Sequence, residues 1–148
     1  MLRTRLLPVL VAVAAATSVA SAATIGDVAV AGDAIAQPLD GSIGDATRGR
    51  ALLVARDPAN CVLCHALADP GVLFAGDVGP PLDGVGRRLT PGQLRLRIVD
   101  GTRRDPQSAM PSYYRSEGLS RVAPVWRGKT ILTAQQVEDI VAYLTTLR

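Results

Sequence analysis

Aromatic side chains are scarce in this chain: one phenylalanine, one tryptophan and three tyrosines among 148 residues. With only Phe74, Tyr113, Tyr114, Trp126 and Tyr143 as large flat side chains, a sizeable core is easier to build around a bound apolar group. Histidine occurs once, at His65, and cysteine twice, at Cys61 and Cys64. Those three positions cannot supply the full ligand set of a structural zinc site. No apolar run reaches the roughly 20 residues that a spanning helix needs. No internal repeat or low-complexity tract is present, and no stacking aromatics alternate with the arginines, so nucleic acid is a poor partner.

The one apolar run of note is N-terminal. "MLRTRLLPVLVAVAAATSVASAA" places Arg3 and Arg5 before a stretch from Leu6 to about Ala15, then small residues up to Ala20-Ser21-Ala22. This is the layout of a cleaved secretory signal. Pro8 and the short apolar core argue against a retained anchor. The leader contains no cysteine to carry lipid, and its two arginines are not adjacent as a twin-arginine signal requires. Residues 1–22 are therefore expected to be removed, leaving an exported, periplasmic protein. Removal lowers Lys plus Arg from 16 to 14 against 13 acidic residues, and the net charge from +3 to +1.

The remaining charge is uneven. From Ala23 to Gly86 there are three basic and eight acidic residues; from Arg87 to Lys129 there are ten basic and three acidic. A solvated face is the ordinary explanation of such a bias. A basic docking surface for an acidic partner is the functional one.

Residues 23–43, rich in Gly, Ala and Asp, are expected to form an extended arm rather than a packed element. A helix is predicted to start after Asp45, an acceptable cap, and to run until Pro58 interrupts it. The Gly- and Pro-dense stretch 66–86 predicts a loop. "TPGQLRLRIVDG" predicts a short helix with Thr90 as cap, Pro91 in the first turn and Gln93 completing a capping box. Residues 101–130, with Pro106, Pro111 and Pro124, predict another loop. "TAQQVEDIVAYLTTLR" predicts the clearest helix, with a second capping box in Thr133 and Gln136 and an apolar face of Val137, Ile140, Val141, Leu144 and Leu147. Three helices, long loops and no convincing strand make an all-α domain over 44–148.

"NCVLCH" gathers both cysteines and the histidine within residues 60–65. A thioredoxin-like redox pair would need a βαβ context, which the pattern lacks. A structural disulfide would leave the adjacent histidine unexplained. Cys-x-x-Cys-His is instead the pattern of covalent haem attachment: two thiols add to the haem vinyl groups and the following imidazole faces the iron. The export leader strengthens this assignment. With one histidine, a bis-histidine iron within the chain is excluded. Met110, in "PQSAMPSYY", is the only methionine left once the leader is gone, and it stands in a Pro-flanked loop outside any apolar periodicity. A thioether opposite an imidazole favours ferrous iron and electron transfer.

These residues resemble those of the class I cytochromes c and, more narrowly, the SoxX family, the small cytochrome subunits of SoxAX complexes in bacterial sulfur oxidation. The likeness runs from about residue 33 to the C-terminus through "NCVLCH", "GDVGPPLDGVGRR", "LRLRIVDGTRRDPQSAMPSYY" and "VAPVWRGKTILTAQQVEDIVAYLTTLR". The first is common to all c-type cytochromes, and the others are closer to SoxX. The resemblance implies the class I cytochrome c fold with one haem c on Cys61 and Cys64, and His65 and Met110 as axial ligands. Pro80 would offer its carbonyl to His65 Nδ1–H, and Gly79, Gly84 and Gly86 would allow backbone turns beside the haem. It further implies a SoxA-like cytochrome partner, a SoxYZ-like carrier protein whose cysteine is joined to thiosulfate, and another periplasmic cytochrome as electron acceptor. The chain would be the electron-transfer subunit of an L-cysteine S-thiosulfotransferase, with no catalytic residue of its own. A free-standing periplasmic shuttle shares every haem residue, and a dithiol protein shares Cys61 and Cys64.

Overall fold

The computed structural model describes residues 23–25 and 28–148; the expected signal segment, 1–22, lies outside them. Four helices carry the domain: α1 (Ala46–Val54), α2 (Val85–Arg88), α3 (Pro91–Asp100) and α4 (Ala134–Thr146). The helix starts are set locally. Asp45 accepts from Arg48 N at 2.8 Å, and both expected capping boxes form, Thr90 with Gln93 and Thr133 with Gln136. α1 ends at Val54, ahead of Pro58, where Ala55 turns extended.

α1 and α4 pack against each other most closely at Gly49, where a Cβ would collide with the backbone carbonyl of Asp139. Arg48 closes the same junction by donating to both carboxylate oxygens of Asp139 at 2.8 Å, and Asp45 N adds a third bond at 2.8 Å. The core between the helices is almost wholly aliphatic, with Leu53, Leu96, Val99, Leu132, Val137 and Ile140 fully buried. Of the five aromatics only Tyr113 is buried; Phe74 is 90% exposed.

The N-terminal segment differs from expectation. Residues 28–43, expected as part of an extended arm rather than a packed element, pack onto the domain. A small antiparallel hairpin, β1 (Ala23–Ile25) with β2 (Val28–Val30), leads into a stretch whose Val30, Ile35 and Leu39 belong to the core. Polar bonds fix it there: Ile35 N donates to Gly92 O at 3.0 Å, and Leu39 N to Glu138 Oε1 at 3.0 Å. Arg95 Nη1 donates to Ile35 O at 2.6 Å while its Nε and Nη2 hold Glu138 at 2.6 and 2.7 Å. A buried ion pair tolerates removal from water only when its remaining hydrogen-bonding capacity is filled, and here the segment's own backbone fills it. A few apolar residues thus suffice because they dock onto α3 and α4. The short helix α2 begins at Val85, at the very end of the stretch 66–86 expected to be a loop over most of its length.

Candidate haem-attachment site

The motif begins as a tight turn. Asn60 takes a left-handed conformation (φ 46°), and Cys61–Leu63 then form a 3₁₀ turn in which Cys64 N and His65 N both donate to Cys61 O, at 3.2 and 3.0 Å. Residues three apart eclipse on such a turn, so Cys61 and Cys64 share a face with His65 next to them. The thiols are unpaired and half-buried. Burial pushes the Cys61 thiol up to about 11. A thiol nucleophile needs a thiolate near neutral pH, so Cys61 is poorly suited to that role. Among the described residues no group of three His, Cys, Asp or Glu side chains is arranged to hold a metal.

The imidazole is held in one orientation. His65 Nδ1 lies 2.7 Å from Pro80 O. A carbonyl only accepts, so Nδ1 carries the proton and Nε2 keeps its lone pair for a metal. The loop beneath runs beside the motif: Gly79 N donates to Cys64 O at 2.7 Å, and Gly76 N to Val62 O at 2.9 Å. A Cβ on Gly79 would stand 2.6 Å from His65 Nδ1 and 2.8 Å from Nε2, inside contact distance of the ring. On Gly76 it would collide with Leu63 O. Glycine at 79 is therefore a steric requirement of the imidazole.

The other two expected glycines shape the chain around α2. Gly84 has φ +67° and turns the chain into α2, while a Cβ on Gly86 would lie 2.5 Å from Thr145 O, so its role is close packing of α2 on the end of α4. Cys61 and Met110 are both half-buried against the core. The Met110 loop is linked to the motif through Tyr113, whose buried hydroxyl donates to Ala59 O at 2.9 Å. Burial, then the neighbouring cysteines, pushes the Tyr113 phenol up to about 12, so it remains a donor. At the base of the loop the Asp100 carboxylate is fully buried. Burial pushes its pKa up, but hydrogen bonds from Thr102 and Ser112 and the Arg115 charge outweigh this and hold it below the ordinary value. Gly76, Asp100 and Tyr113 carry no motif of their own, and the sequence alone does not single them out.

The basic run is partly spent inside the domain. Arg95 is buried on Glu138, Arg88 donates to Pro81 O and Asp83 O, and Arg115 donates to Asp100. Arg87, Arg103, Arg104, Arg121, Arg127 and Lys129 remain exposed. Around the motif, Leu63, Phe74 and Val78 are exposed as well.

Two thiols on one face, an oriented imidazole with a free Nε2, and a glycine-lined wall that leaves the ring its room fit a covalently attached haem. The profile of the cytochrome c family matches residues 46–148. The solved structure described as "Crystal structure of SoxXA from P. pantotrophus" superposes with a TM-score of 0.76 at 33% identity, over 86% of this chain and 98% of that one. Comparison with curated proteins yields no match. The chain belongs to the cytochrome c family, with the all-α class I fold and one haem c bound through Cys61 and Cys64.

Proposed function

We propose that this cytochrome is the electron-transfer subunit of a SoxXA-like complex that joins thiosulfate oxidatively to a cysteine of a SoxYZ-like carrier protein. The observation that carries the proposal is the similarity, at 33% identity, over 98% of a chain of the P. pantotrophus SoxXA structure. Residues 1–22 act as the export signal, 23–43 as an N-terminal segment and 44–148 as the haem domain, and the mature protein works in the periplasm. No described helix is long and apolar enough to cross a membrane.

In this proposal His65 Nε2 and the Met110 thioether are the two side-chain atoms that would hold the haem iron. A haem so ligated supplies one-electron chemistry at a raised reduction potential. The chain's own residues do the rest. Cys61 and Cys64 would tether the group, Pro80 fixes the imidazole, and the Met110 loop would supply the second ligand in place of an open position. Joining a carrier thiol to the outer sulfur of thiosulfate forms one sulfur–sulfur bond, releases the thiol proton and removes two electrons. The bond forms on the SoxA-like partner, and this chain takes the electrons singly and passes them to another periplasmic cytochrome. It contributes no catalytic residue. The exposed Leu63, Phe74 and Val78 beside the motif, and the exposed arginines after α2, suit a face that docks on that partner.

Affinity capture of the exported holoprotein tests this assignment. It should bring down a SoxA-like haem subunit in one-to-one ratio. A chain that stays monomeric beside that subunit, yet still exchanges electrons with other cytochromes, is a free-standing shuttle.

A further inference from the structure

The segment from Thr102 to Ser112, which contains Met110, leaves and rejoins the domain at one side chain. Asp100, the last residue of α3, has no exposed surface. Its Oδ1 accepts from Thr102 Oγ1 at 2.6 Å, from Thr102 N at 3.3 Å and from Ser112 Oγ at 2.7 Å. Its Oδ2 accepts from Arg115 Nη1 at 2.6 Å, and Arg103 Nε stands 3.8 Å away. A helix-end cap would need only the Thr102 bonds. The Ser112 and Arg115 bonds reach across the loop, so both of its ends meet at one carboxylate.

Inside the loop the chain is held by short local bonds, Ser108 N to Asp105 O at 2.9 Å and Met110 N to Ser108 Oγ at 3.2 Å. Beyond it, Tyr113 N donates to Ile98 O at 3.1 Å and the Tyr113 hydroxyl reaches Ala59 O. The Met110 backbone is thus suspended between α3 and the start of the cysteine motif, and Asp100 is the knot at the α3 end. A buried carboxylate is costly unless fully paired. A network of this kind admits one arrangement of the groups it joins.

We infer that Asp100 is the positioning residue of the Met110 loop: by binding Thr102, Ser112 and Arg115 together it holds the Met110 thioether at ligating distance from the haem iron. The inference rests on Met110 being the sixth ligand.

The test uses the holoprotein and two readouts of the sixth position: the weak far-red band of a thioether-ligated ferric haem, and the rate at which the ferrous protein binds carbon monoxide. Asp100→Asn keeps the shape but loses the Arg115 ion pair and one acceptor. Ser112→Ala removes one loop-end bond, Thr102→Val removes the hydroxyl that joins both Asp100 and Arg115, and Ser112→Thr restores a hydroxyl at 112. Asp100→Asn and Ser112→Ala should weaken the far-red band and speed carbon monoxide binding about tenfold, the effect of losing one hydrogen bond to a charged group. Ser112→Thr should return both readouts towards the parent. Leu144→Ala, a core truncation in α4, should lower the melting temperature without moving either readout. If Asp100→Asn yields no holoprotein, Ser112→Ala and Thr102→Val decide by the same readouts. Met110→Ala separates the two levels. If it leaves band and rate unchanged, the ligand assignment fails; if it changes them while the loop-end variants do not, the role of Asp100 is overturned.

Discussion

The ring of His65 and the α-carbon of Gly79 lie so close that no side chain fits between them, while the next residue, Pro80, accepts the ring's Nδ1–H at 2.7 Å. Gly79 has no positive φ, so its backbone could be adopted by any residue. The constraint comes from the imidazole alone. Gly79→Ala should therefore push the ring off Pro80, cost about 1–3 kcal/mol through overpacking, and perturb the haem spectrum. Gly128→Ala, at an exposed turn with open space about the Cβ position, should leave that spectrum unchanged. A Gly79→Ala protein with parent spectrum and stability would show the contact to be accommodating.

The N-terminal segment should be part of the domain's stability. Ile35 is 2% exposed, and Ile35→Ala should cost about 2–5 kcal/mol. Arg95→Ala would leave Glu138 buried without its counter-charge, and should cost about 3–5 kcal/mol. Urea unfolding of the isolated protein, followed by helix circular dichroism, measures both. Midpoints unchanged from the parent would return the segment to the role of a free arm.

That segment is also the part of the fold least legible in the sequence. Capping boxes at Thr90 and Thr133, the Asp45 cap and the cysteine motif are decided within a few residues, and they are legible as written. The docking of Ile35 and Leu39 depends on Arg95 and Glu138, whose bonds to the segment span 60 and 99 positions. Nothing local in "AGDAIAQPLDG" announces those partners. The charge count overstates the basic surface for the same reason: Arg95 and Arg115 add to the basic total but are spent on Glu138 and Asp100 within the domain. The His65–Pro80 bond, expected from the resemblance to SoxX, is present. The need for glycine at 76 follows from a carbonyl contact that no motif records.

Acid should loosen the α1–α4 junction. Hydrogen bonds from Arg48, outweighing burial, hold the Asp139 carboxyl below its ordinary value; bonds from Arg50 do the same for Asp69. A group whose folded pKa is depressed stabilises the fold above its unfolded pKa of about 3.9, and loses that contribution as pH falls through the lower folded value. Melting temperature should thus be flat above about pH 5 and drop below about pH 4. Asp139→Asn should lower it at neutral pH and flatten the acid limb. An acid limb as steep in Asp139→Asn as in the parent would remove this junction from the explanation.

Arg103 and Arg104 lie on the loop that contains Met110, and both are exposed. Reversing their charge, Arg103→Glu with Arg104→Glu, should slow association with the SoxA-like subunit about tenfold at low salt, with the difference shrinking as salt screens the field. Dissociation should change less. Stopped-flow mixing of purified subunits reads both rates, and an unaltered association rate would place the docking surface elsewhere.

In the proposed function, electrons from sulfur–sulfur bond formation pass through the haem on Cys61 and Cys64. The most direct measurement mixes the ferric holoprotein with its SoxA-like partner, a reduced SoxYZ-like carrier and thiosulfate, and follows reduction of this haem against carrier–thiosulfate conjugate detected by intact mass. The haem should become ferrous as conjugate forms, with two haems reduced per bond, and leaving out the carrier should abolish reduction. Conjugate accumulating while this haem stays ferric would contradict the proposal.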